Sequence, residues 1–234
     1  MLWLKAWLET RWRFVFLVGS ILVVWLAPFW ITATGVVHSG VPAVKQWMGI
    51  QLGSVLLYIF TAIYLAGSGV NSQTMYSATS GFHGSMFFTL SLPVSRRRLL
   101  FVRAGLGAIQ SSVLVAIMAG YMLFLRPEAT SALQVLEYMT RAVSCTMAVY
   151  ALSVLLACVL DEMWQMYAAI LCCTAVFMLQ QRFTVISRIS PLRGMSLIAY
   201  PLTAPVPWLP VAASLVMIVV FLGASVLVLQ RKEY

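Results

Sequence analysis

The sequence predicts an all-α polytopic membrane protein: six transmembrane helices, an N-terminal amphipathic elbow helix, and short outer half-helices before the last span. Three observations carry that prediction. Of the 234 residues, 62% are hydrophobic and only 9% are charged, whereas a soluble domain carries about 25% charged residues because its surface faces water. Mean hydropathy is +0.95. Six separate runs are long and apolar enough to cross a bilayer, which takes about 20 residues for a core roughly 30 Å thick. The whole chain, 1–234, reads as one transmembrane domain.

The elements follow in order. Residues 1–13 place Leu2, Trp3, Ala6 and Trp7 on one helical face, and Lys5, Glu9 and Arg13 at i, i+4 and i+8 on another. That is the pattern of a helix lying in the membrane interface. The first apolar run, 14–34, outlasts the h-region of a signal peptide, and no clean A-x-A site follows it; it is read as a retained span. The second run covers 49–70 and the third 99–125. Residues 142–179 are interrupted only by Asp161 and Glu162. One helix of that length would reach about 57 Å and hold both carboxylates near the midplane, at a few kcal/mol each. Two helices, 142–160 and 163–179, joined by a tight turn avoid the cost. The last run, 211–229, is stopped by Gln230, Arg231, Lys232 and Glu233.

Charge sets orientation and partners. The formal net charge of +9 points to anionic headgroups rather than nucleic acid. The densest basic cluster, Arg96, Arg97 and Arg98, adjoins the third run, where the positive-inside rule acts most strongly. Both termini and the loop 71–98 are therefore expected in the cytoplasm, with 180–210 outside. This outer segment holds Pro191, Pro201, Pro205, Pro207 and Pro210, and its apolar pieces are too short to span. Lipid does not tolerate exposed irregular backbone, so short half-helices packed on the bundle or lying at the interface are expected there, as a re-entrant or gating segment. Arg182, Arg188 and Arg193 run against the charge rule; they suit an outer gate, a substrate or a lipid contact, with plainly solvated charges as the alternative. Their spacing does not put them on one helical face.

The inventory for catalysis is short. Cys145, Cys158, Cys172 and Cys173 lie inside apolar runs without a C-x-x-C pair, and are read as packed thiols. His38 and His83 fall on opposite sides of the membrane in this topology, and there is neither H-E-x-x-H nor a G-x-x-x-x-G-K-[ST] phosphate loop. Ser68, between Gly67 and Gly69, could be paired with His83 as a hydrolase, but small residues at a helix end are better explained by close helix approach. No catalytic or metal-binding residue is assigned, and energy for any transport must come from a partner. The inner loop is the better candidate for chemistry of another kind. Met86, Phe87, Phe88 and Leu90 make a short apolar helix candidate, preceded by Phe82 and His83 and closed by Arg96, Arg97 and Arg98, and together they form a partner-coupling lever suited to a soluble protein. A topology anchor on anionic lipid is the simpler reading of the arginines alone.

The run from Thr89 through Leu90, Ser91, Leu92, Pro93, Val94 and Ser95 to Arg96, Arg97 and Arg98, preceded by Gly84 and Ser85, resembles the segment joining the second and third spans of type-2 ATP-binding-cassette (ABC) transporter permeases. Where many members carry an acidic residue, often Glu-Arg, ahead of that segment, this chain has Thr79, Ser80, Gly81, Phe82 and His83. The resemblance implies a coupling helix over 81–91 resting on an ATP-binding subunit, with 92–103 leading back into the bundle. It also implies two permeases working with two ATPase subunits. ATP and Mg would be bound by the partner and no cofactor by this chain. The exported cargo would be an amphiphilic or hydrophobic lipid, drug or peptide, and the location a bacterial cytoplasmic (inner) membrane. Two other classes remain open on the residues alone: a non-transporting scaffold or sensor that recruits a soluble partner, and an intramembrane lipid-modifying enzyme.

Overall fold

A computed structural model describes residues 2–33, 43–66, 96–124, 131–160, 162–196 and 207–231. Every regular element among them is a helix: α1 (Leu2–Ala33), α2 (Ala43–Ala66), α3 (Arg96–Phe124), α4 (Ala132–Val159), α5 (Glu162–Arg182), α6 (Thr184–Ile189), α7 (Pro191–Gly194) and α8 (Trp208–Arg231). Among these described residues α3, α4 and α8 contain stretches long and apolar enough to cross a membrane, Leu100–Gly120, Ala132–Val159 and Trp208–Arg231. A shorter apolar stretch, Val55–Ala66, lies in α2.

Several expected boundaries move. An elbow helix over 1–13 followed by a separate span does not form; α1 runs unbroken from Leu2 to Ala33. Nothing between Arg13 and Phe14 breaks a helix, and Thr10, on the supposed interfacial segment, is buried against α3. The Gln110 side-chain amide donates to its hydroxyl at 3.1 Å. The fourth helix starts ten residues before the expected 142, at Ala132, because Ser131 caps it. The Ser131 hydroxyl accepts from the Gln134 amide while the Gln134 side chain accepts from the Ser131 amide, a reciprocal capping box. The break at the acidic pair is where the sequence put it: α4 ends at Val159, Leu160 turns into extended backbone, and α5 begins at Glu162.

Side-chain contacts fix the relative directions. The Tyr150 hydroxyl donates to the Ala104 carbonyl at 2.7 Å, and Ser112 meets the Met147 sulfur at 3.6 Å, so α3 and α4 are antiparallel. On α2, Tyr58 shares a 3.2 Å hydrogen bond with Tyr138, while the Leu65 carbonyl lies beside Gly107 together with Tyr150. This makes α2 parallel to α4. Trp3 sits over Gly105 and Thr10 at Gln110, making α1 parallel to α3. Gln165, close to the start of α5, donates to the Ile63 carbonyl at 3.4 Å. The helices α1 and α3 thus run one way, and α2 and α4 the other.

The middle of the bundle is α4. It touches α2, α3, α5, α7 and α8, and 61% of its apolar stretch is buried, against 17% for α8 on the flank. Small residues make this possible: Ala142, Cys145, Ala148, Ala151, Ser153 and Ala157 are buried and let neighbouring backbones approach. Thr146 and Ser153 satisfy their hydroxyls on the carbonyls one turn back, Ala142 and Val149. The short α7 tucks in at Gly194, where an added Cβ would lie 2.6 Å from the Cys145 sulfur and 3.2 Å from the Pro210 Cβ. The outer faces stay apolar, as with Leu215, Val216, Val219 and Val220 on α8 and Ile170, Leu171, Phe177 and Met178 on α5. Hydrocarbon is the natural solvent for such a surface.

Candidate functional site

A groove of about 640 Å³ runs along one flank, between α3, α4 and α8. Its width comes from small side chains. Ala104, Gly105 and Ala108 on α3 face Ala151 on α4, where larger residues would close the gap. The third wall is a regular stripe on α8, Ile218, Leu222 and Val226, spaced by four so that they stack on one helical face. Tyr150 contributes only its ring, because its hydroxyl is committed to the Ala104 carbonyl. Phe101, largely exposed, stands at the rim. Among the described lining residues the one charged group is Arg98, exposed at the end of the groove where α3 begins. From Arg98 to Ala108 the groove measures about 15 Å along the helix axis.

The other side of α3 has a different character. Gln110 and Ser111 are buried there, and Thr61 on α2 and Gln165 on α5 are buried as well. Thr61 Oγ1, Gln110 Oε1, Ser111 Oγ and Gln165 Oε1 have no hydrogen-bond partner among the described residues. Since Leu65 is level with Gly107 and the helices are antiparallel, Thr61 comes level with Ser111, and Gln165 is held nearby at Ile63. Arg13 extends over the Tyr64 ring, 5.6 Å from its centre, close to the same level.

The residues singled out from sequence scatter. Phe82, His83, Met86, Phe87, Phe88 and Leu90 lie outside the described residues, as do His38 and Ser68. Arg96 and Arg97 are the first two residues of α3, followed by Arg98 at the groove. Arg182 ends α5, Arg188 lies in the last turn of α6 and Arg193 in α7, three separate helices. Arg182 and Arg188 are exposed and Arg193 is half-buried. All four cysteines are free thiols, with Cys145, Cys158 and Cys173 buried.

No family model, curated protein or solved structure matches the chain. What the groove can do follows from its lining. It offers no nucleophile paired with a base, but an elongated apolar trough with a cation at one end, within the 300–1,000 Å³ of ordinary ligand sites. Sequence reading marked Arg98 and missed the rest. The spacing of Ile218, Leu222 and Val226 and the small residues at 104, 105 and 108 were visible. Such stripes ordinarily mark helix–helix contact, and only the assembled bundle shows that no fourth helix among the described residues fills the space.

Proposed function

We propose that the chain is the membrane-spanning permease subunit of an ATP-driven exporter of the type-2 ABC kind. It would pair with a second permease and two ATP-binding subunits, in a bacterial cytoplasmic membrane with both termini inside. One arrangement supports this reading above others: long helices α1 to α4 alternating in direction, the third begun by Arg96, Arg97 and Arg98, and two short helices, α6 and α7, before the last long one. The Leu92-Pro93-Val94-Ser95 run then ends where α3 starts, so a push on the inner loop is delivered to the end of a rigid helix. Six crossings by α1, α2, α3, α4, α5 and α8 complete the scheme. Arg188 and Arg193 would stand at an outer gate that α7 anchors to Cys145 and Pro210 through Gly194. The chain has no phosphate loop of its own, so the energy comes from the partner. The cargo is an amphiphilic or hydrophobic molecule.

The experiment is to tag the C-terminus, purify in mild detergent from native membranes, identify what co-purifies and assay ATP hydrolysis. A stoichiometric soluble subunit with a phosphate loop, and hydrolysis by the complex, is the expected result. Phe87→Asp with Phe88→Asp should then lose transport while inserting normally and hydrolysing ATP without coupling. No such subunit across several detergents, together with no hydrolysis, would overturn the proposal.

A further inference from the structure

We infer that the groove between α3, α4 and α8 is a seat for one anionic phospholipid, with an acyl chain in the trough and the phosphate at Arg98. Depth is the first ground. Arg98 stands just before the apolar stretch Leu100–Gly120, at headgroup level when that stretch crosses the membrane, and the remaining α3 wall lies inside the stretch. The second ground is length. The axial reach of about 15 Å is half of a hydrocarbon core roughly 30 Å thick, one leaflet deep. Shape is the third. Ala104, Gly105 and Ala108 facing Ala151 leave a trough, and the Ile218, Leu222 and Val226 stripe gives it an apolar wall along its length. The fourth is charge: the charged group among the described lining residues is a guanidinium, a group type that can fork onto phosphate oxygens, and a chain of net charge +9 favours anionic lipid generally.

A zwitterionic lipid can place its chains in the same trough, but its ammonium weakens the attraction at Arg98. The proposed lipid is a resident of the leaflet at the Arg98 end. The inference rests on the membrane reading and not on the ATPase partner. Absence of an ATPase leaves it standing, and unselective lipid binding leaves the transporter proposal standing.

The test is native mass spectrometry of the purified full chain, with whatever subunits accompany it, titrated with phosphatidylglycerol and phosphatidylcholine of identical chains. The wild type should take up the first phosphatidylglycerol about fivefold more tightly, the factor that one Arg near an anionic headgroup supplies. Arg98→Gln should erase that preference, Arg98→Lys should keep most of it, and Arg182→Gln should leave it unchanged. Ala108→Phe fills the deep end, and should weaken both lipids about equally while leaving their ratio intact. A benzophenone amino acid at Leu222 provides a second readout that does not depend on the filled variant: it should cross-link to phosphatidylglycerol in the wild type and several-fold less with Arg98→Gln. An unchanged lipid preference in Arg98→Gln, or cross-linking indifferent to that substitution, overturns the inference.

Discussion

Gly107 stands where α2, α3 and α4 meet, and replacing it with Ala tests the packing directly. The new Cβ would lie 2.5 Å from the Tyr150 hydroxyl oxygen, 3.0 Å from the Leu65 carbonyl oxygen and 3.3 Å from the Tyr150 Cζ. None of these atoms belongs to a flexible chain end: one is backbone, and the others sit on a rigid buried ring whose hydroxyl bonds Ala104 at 2.7 Å. Relieving the overlap means moving a helix or breaking that bond. Overpacking of this kind costs about 1–3 kcal/mol and the lost hydrogen bond about 1 kcal/mol more. Against that stands about 1 kcal/mol gained by replacing Gly with Ala in a helix. A net loss of about 1–3 kcal/mol lowers the melting temperature of a protein this size by roughly 3–10 °C. The assay is thermal unfolding in detergent, followed by size-exclusion fluorescence. Gly223→Ala is the control, because nothing lies within 4 Å of its added Cβ; it should be neutral or slightly stabilising. Adding Tyr150→Phe to Gly107→Ala removes the closest collision and should recover part of the loss. The reasoning is refuted if Gly107→Ala melts with Gly223→Ala, or if the double variant is no more stable than the two single effects added.

Three further substitutions separate polar contacts that stabilise the bundle from those that do not. Thr10→Val strands the buried Gln110 amide, whose Oε1 already has no partner among the described residues. Gln110→Leu removes both ends at once and leaves Thr10 bonded to the Trp7 carbonyl. Thr10→Val should therefore be the more damaging by about 1 kcal/mol, read from the same melts, and the reverse order would contradict the geometry. Thr61→Val removes a hydroxyl that bonds nothing among the described residues, so it should be neutral or stabilising by up to about 1 kcal/mol; a loss larger than that would show the oxygen held in a bond to water.

Much of this fold was legible because lipid solvation writes itself into composition. A charge inside hydrocarbon is costly enough that Asp161 and Glu162 could mark only a break between helices, and α4 ends at Val159 while α5 begins at Glu162. Helix ends were harder, since hydropathy reports where the apolar run stops and not where the helix does. The start of α4 had a readable signal, Ser131 followed three residues later by Gln134, with the side chains needed to cap each other. The continuity of α1 had only a negative one, the lack of any breaker near Arg13. The groove was not legible, because it is a property of three helices distant in sequence and of the volume their small residues leave empty.

The two sides of α3 explain why its sequence looks so mixed. Arg98, Phe101, Ala104, Gly105 and Ala108 repeat at intervals of three and four along one side, and that side forms the groove. Gly107, Gln110 and Ser111 face the bundle, where the first permits close approach of α2 and α4 and the other two meet α1 and the level of Thr61. An isolated apolar helix needs neither the arginine nor the buried glutamine, and lipid would penalise both. Each is retained where the assembled bundle gives it surroundings: the end of the groove just before the apolar stretch for Arg98, the Thr10 hydroxyl for Gln110. A displacement applied at Arg96 would act on both sides at once, because one rigid helix carries the groove and the polar layer. On the transporter reading, that shared helix joins the inner loop to the interior of the bundle.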